Sequence, residues 1–258
     1  MSKLLSAGFR RWFSHKLYWG ALVVSVLFGL NTYELDIDVV PWEFIFIGAM
    51  IAFFVGIENQ EGGFRNKILA GYSRKKVFMS EMIVALCASY VLIIAYIITT
   101  VISEPHIVHL IPIIEAIKGV IMFLIIDSSI VIISVFISVC AFHKWFSMIL
   151  LIITVFALTF IGFYADYNET NYETDISSVI ADIIPMNTME ETCYMYDDYY
   201  DSWKYAVYRY GIKIGVYEKE GLTKEDNREY CENILGSIVF ISTLTLAGLQ
   251  IISKKDFK

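Results

Sequence analysis

Charge is scarce in this chain: of 258 residues, only 18% are Asp, Glu, Lys or Arg, against roughly a quarter in an ordinary soluble domain. Signatures of self-contained chemistry are missing as well. No Gly-x-Ser-x-Gly occurs, and no His-Glu-x-x-His, which excludes the nucleophile-elbow hydrolases and the zinc peptidases that carry those patterns. A Gly-x-x-x-x-Gly-Lys phosphate loop is absent too, so any ATP used must be held by another chain. The first sixteen residues, MSKLLSAGFRRWFSHK, are basic and amphipathic but hold no long apolar core. No cleavable signal peptide is expected.

What the chain does have is apolar sequence in long blocks. Hydrophobic residues make up 57% and the mean hydropathy is +0.59. A bilayer core takes about 20 mostly apolar helical residues to cross. Six stretches are read as spans, at 17–30, 42–57, 82–102, 111–142, 145–164 and 234–252. The first is short. The second is opened by Pro41, tolerated in a first helical turn. The fourth is too long for one perpendicular crossing, so it is tilted or its first turns lie outside the core. The fold class expected is an all-α integral membrane protein, with 1–258 forming one transmembrane domain.

Lys and Arg in short loops set orientation. They gather in the N-terminus (Lys3, Arg10, Arg11, Lys16), after the second span (Arg65, Lys67, Arg74, Lys75, Lys76), after the fourth (Lys144) and in the tail (Lys254, Lys255, Lys258); the loops 31–40 and 103–110 have none. This asymmetry places both termini in the cytoplasm and the segment 166–232 outside. That segment is acidic and rich in tyrosine, and a loop of such length is ordinarily ordered or functional. Asp175 reads as the cap of a short helix ending at Pro185, and Thr223 with Asp226 as a capping pair before the last span.

The most informative segment is 58–80. Residues 58–74 read ENQEGGFRNKILAGYSR: a short helix between glycines, with Phe64, Ile68 and Leu69 along one apolar edge and Arg65 and Lys67 beside it. Such an edge suits a groove on a partner; a solvated basic loop is the plainer reading. The succession of acidic residues, Gly62-Gly63-Phe64-Arg65-Asn66-Lys67, then Ala70-Gly71-Tyr72-Ser73-Arg74 and a third span resembles the ABC transporter permeases of the type-two exporter class, among them small bacterial six-span permeases. The resemblance implies that the basic, amphipathic 1–16 is an interfacial helix preceding the first span and that 58–80 is the cytoplasmic coupling segment. Glu61, Phe64, Arg65, Lys67, Ile68, Leu69 and Arg74 would then meet separate cytoplasmic ABC ATPase subunits, on which ATP and Mg are bound. It further implies a second permease copy or a paralogue, a bacterial cell membrane, and no catalysis or cofactor in this chain. The outer segment 166–232 is longer than that pattern leads one to expect.

Other candidates are fewer. Asp127, Ser134 and Ser138 fall near one face of the fourth span and could line a translocation path. The alternative is a structural Asp bonded to a neighbouring helix, with serines bonding back to their own backbone. Cys193 and Cys231 both lie in the outer segment, where a disulfide could persist, but spacing does not decide whether they are bridged. Cys87 and Cys140 read as packing residues. Glu115 and Lys118 read as an ion pair. His106, His109 and Glu104 supply too few ligands for a metal centre. The tyrosines from Tyr194 to Tyr210 read as an interfacial aromatic layer or as a contact for a cationic substrate.

Together these features predict the membrane subunit of an ATP-driven exporter, moving an amphipathic or antimicrobial peptide, a drug or a lipid. No nucleic-acid partner is expected. The alternative is a membrane sensor built on the outer segment, or an intramembrane enzyme built on Asp127.

Overall fold

The computed structural model describes residues 1–30, 42–103, 113–141, 143–172, 190–197, 202–209, 212–218 and 224–254. The described helices are α1 (Ser2–Ser14), α2 (Lys16–Leu30), α3 (Trp42–Gln60), α4 (Gly63–Leu69), α5 (Arg74–Ser103), α6 (Ile113–Cys140), α7 (Lys144–Tyr172) and α8 (Lys224–Lys254). Each apolar block of the sequence has become a helix. Four helices are long and apolar enough to cross a membrane: α3, α5, α6 and α8. α1 and α2 form a pair bent by 66° that would count as a fifth, and α7 has a shorter apolar stretch, Lys144–Leu158. The helices suit a multi-pass membrane protein. Val23, Leu27, Ile98, Ile153, Val239 and Leu246 point outward, as lipid-facing side chains do.

The bend between α1 and α2 has a local cause. His15 is extended (φ −86°, ψ 128°) and breaks the helix. Its Nδ1 accepts the Leu17 N–H at 3.2 Å, capping the next helix. Trp19 Nε1 donates to the Phe13 carbonyl at 2.9 Å, and the Tyr18 hydroxyl donates to the Ala88 carbonyl on α5 at 3.2 Å. α1 buries Leu4, Gly8 and Trp12, one residue per turn and so one face, with Gly8 against Val84 of α5. The interfacial helix expected at 1–16 is thus a packed element of the bundle.

α3 packs against both α6 and α7, while α5 packs against α2, α6 and α8. The α3–α6 contact is close because small residues face each other. A Cβ at Gly48 would sit 2.5 Å from Ile130 Cγ2 and 3.3 Å from Ser134 Oγ. Further along, Ser138 Oγ reaches the Ala52 carbonyl at 2.9 Å. Both contacts advance along both helices, so the two run parallel.

A sheet accompanies the helices. β1 (Glu190–Asp197), β2 (Ser202–Arg209) and β3 (Ile212–Glu218) pair antiparallel in the order β1-β2-β3, with a register shift at Val207/Tyr208. The all-α expectation therefore describes the apolar helices, and the segment 166–232 adds strands to it. Thr192, Tyr194 and Tyr196 recur at every second position, the residue types and spacing that favour a pleated surface. The helix expected at Asp175, the cap at Thr223 and the histidines of 104–112 lie outside the described residues.

Candidate functional site

Four charges meet where α1, α3, α4 and α5 converge. Arg11 of α1 pairs with Glu58 of α3 and, at 2.6 Å, with Glu81 of α5. Lys67 of α4 pairs with the same two acids, with Glu81 at 2.5 Å. Two cations and two carboxylates cancel, so the cluster carries no net charge. The acids are deep, Glu58 with 5% and Glu81 with 1% of its side chain exposed, and each is served by both cations. An ion pair so buried is tolerated only when every member is partnered. Burial pushes the Lys67 ammonium below its ordinary range; Glu81 pulls it back up, and Arg11 adds to the lowering.

α4 is the piece of this cluster that faces outward. It is set off by Gly62 (φ 76°) and Gly71 (φ 90°), both in the left-handed region that only glycine enters freely. Gly63 gives Glu58 room, since a Cβ there would lie 2.5 Å from Glu58 Cγ. Phe64 is 2% exposed and belongs to the core; Lys67 Nζ lies 5.8 Å from its ring centre, within cation–π range. Ile68 is half-buried against the core. Leu69 is 73% exposed, and Glu61, Arg65 and Asn66 are exposed with it. The apolar edge read from the sequence is therefore divided: Phe64 and Ile68 anchor the helix, and Leu69 is left exposed. Arg74 starts α5 and donates to the Ser253 carbonyl of α8 at 3.3 Å. Beside the cluster, Arg11, His15, Phe54, Glu58, Glu61 and Asn66 are among the residues lining a cavity of about 420 Å³. His15 stands edge-on to Phe54 at 5.0 Å within it.

A donor missed in the sequence lies one residue past Glu58. Asn59 Nδ2 reaches the carbonyls of Ser138 (3.1 Å), Val139 (3.3 Å) and Ala141 (2.5 Å) at the end of α6, its two protons shared among three acceptors. These are carbonyls that a helix end leaves without intrahelical partners.

The intramembrane candidates are all fully buried. Ser134 Oγ donates to the Ile130 carbonyl at 2.6 Å. Ser138 Oγ lies between the Ser134 carbonyl (2.6 Å) and that of Ala52, and its one proton serves one of them at a time. Asp127 is 0% exposed, and neither carboxyl oxygen has a hydrogen-bond partner. Glu43, at the start of α3, was not a sequence candidate. It is buried and unpartnered in the same way. Cys193 falls in β1 and Cys231 in α8; their side chains lie outside the described residues, as do those of Glu115 and Lys118. Neither Cys87 nor Cys140 is in a disulfide, and among the described residues no group of acids, histidines and cysteines is arranged to hold a metal. Compared with known proteins, the chain matches no protein family, no curated protein and no solved structure.

Proposed function

We propose that this chain is the membrane-spanning subunit of an ATP-driven ABC exporter, with six spans, both termini cytoplasmic and a bacterial cell membrane as its location. The observation that carries the reading is the two-sided character of α4. One side, through Phe64 and Lys67, is tied to α1, α3 and α5. The other presents Leu69 and Arg65 to whatever lies beneath. A separate ATPase, binding ATP and Mg, would press on that outer side, and its closure would reach three helices through one charge cluster. A second permease copy or a paralogue would complete the path. An amphipathic or antimicrobial peptide suits an apolar bundle with an acidic 166–232 segment; drugs and lipids are the other substrate classes.

The test is co-purification and coupling. Burying Leu69 in a partner groove would contribute about 1.5–3 kcal/mol, and Arg65 at the rim would contribute to orientation. Leu69→Ala with Arg65→Ala should lower recovery of a stoichiometric ATPase about tenfold, or uncouple ATP hydrolysis from transport, while membrane level stays at that of the parent. Unchanged recovery and unchanged coupled hydrolysis would sink the exporter reading. The intramembrane-enzyme reading gains one observation, Glu43 as a second acid beside Asp127. Peptidase activity lost with Asp127→Asn, in a preparation with no ATPase, would favour it.

A further inference from the structure

Glu43 on α3 and Asp127 on α6 are 2% and 0% exposed, and all four of their carboxyl oxygens lack a hydrogen-bond partner. Their helices are in contact at this level, with Phe44 stacked on Phe123 at 5.4 Å, and the two carboxyls act on each other electrostatically. Ser25 of α2 stands beside Glu43 and Ser89 of α5 beside Asp127. Ser25 Oγ is fully buried and makes no hydrogen bond of acceptable geometry. Ser89 spends its proton on the Leu86 carbonyl at 2.9 Å and has lone pairs left to accept. Four helices thus bring four oxygen-bearing side chains into one buried region.

Among the described residues no cation pairs with them: the ion pairs join only Arg11, Glu58, Lys67 and Glu81. Among the other ionisable groups on the packed elements, Tyr96 of α5 comes near, its ring 6.5 Å from that of Phe123. The Tyr90 hydroxyl of α5 meets Ser128 Oγ at 2.7 Å, and Tyr18 of α2 is bonded to Ala88. The described apolar stretches of α7 and α8 carry ionisable groups only at Lys144 and Lys254. An unpaired carboxylate at membrane depth is costly, and a second beside it more so. A purely structural acid would have a well-aimed hydrogen-bond donor; Ser25 and Ser89 stand nearby, but neither meets its acid with acceptable geometry.

We propose that Glu43 and Asp127, with Ser25 and Ser89 beside them, form a proton-binding site that holds a proton while α2, α3, α5 and α6 are packed together and releases it to water when they part. The proton moves from a carboxyl O–H to solvent, and returns by the same route. Because the packed arrangement holds the proton more tightly, acid favours it, and the reciprocal follows by linkage. The site stands on these side chains alone and holds whether or not the chain serves an exporter.

Infrared spectroscopy of the whole protein in lipid nanodiscs tests this. The parent should show a protonated-carboxyl band that disappears as pH rises. Isotopically labelled aspartate should shift part of that band with no substitution made, which keeps the test independent of folding. Glu43→Gln with Asp127→Asn should abolish the band, and each single variant should change the proton affinity of the remaining carboxyl by about tenfold. A parent band that never titrates, or one indifferent to the labelled aspartate and to both substitutions, overturns the proposal. A band that responds to sodium at fixed pH would assign the site to a metal cation instead, and overturns it equally.

Discussion

Glu58 and Glu81 are about as buried as Glu43 and Asp127, yet the two pairs of acids are treated in opposite ways. At the α4 end each acid meets both Arg11 and Lys67. Between α3 and α6 neither acid has a hydrogen bond of acceptable geometry, only a serine hydroxyl nearby. The first arrangement is how a fold uses buried charge to join elements: four helices, two charges of each sign, nothing left over. The second returns nothing to the fold that an apolar pair would not return better. Burial alone therefore does not say what a charge is for; its partners do.

The sharpest way to break this comparison is to remove one acid from each pair. Glu81→Gln leaves Arg11 and Lys67 with one carboxylate between them and should destabilise the protein by about 3–5 kcal/mol, the usual loss when a buried ion pair is broken on one side. Thermal unfolding in detergent would register it, and a stability equal to the parent's would show the cluster to be ornamental. Asp127→Asn, in contrast, should leave stability within about 1 kcal/mol of the parent or raise it, because no hydrogen bond is lost; a large loss would mean that Asp127 has a structural partner.

Smaller effects sharpen the contrast. Lys67 is held below its ordinary range, chiefly by burial, whereas in the unfolded chain it titrates near 10.4. Between the folded and unfolded values the unfolded chain binds the extra proton, so stability should rise with pH across that window. Lys67→Met should flatten the rise in a pH series of unfolding measurements. The smallest effect belongs to Leu69→Ala, which should change the stability of the isolated chain by no more than about 0.5 kcal/mol, as for surface positions generally. Its consequence should appear only when an ATPase is present.

The helices were legible because lipid-sized apolar runs leave little choice. The stretch 17–30 became Lys16–Leu30, and 111–142 became Ile113–Cys140. α5 begins at Arg74, not near Met82, because ion pairing allows Glu81 to be buried and the charged turns before the apolar run are already helical. The glycines around α4 announced a short helix, but which side faced inward depends on tertiary contacts that seven residues cannot encode. Arg11 and Glu81 are 70 residues apart, and nothing local pairs them. Glu43 opens an apolar run and resembles an acid at a helix N-terminus, so nothing in the sequence marks it as buried. The strands did leave a signal, in the alternation of Thr192, Tyr194 and Tyr196, which the density of tyrosine obscured.

The grip of Asn59 on the end of α6 has a mechanical meaning. α3 and α6 are pinned at Gly48 against Ser134, at Ala52 against Ser138, and at Asn59 against three carbonyls ending with Ala141. Three pins along parallel rods remove both sliding and twisting, so the pair behaves as one stiff beam. α4 follows α3 after only Glu61 and Gly62. A push on α4 would therefore reach the far end of α6 with little slack lost on the way, and Asn59→Ala would loosen the beam at the end nearest α4.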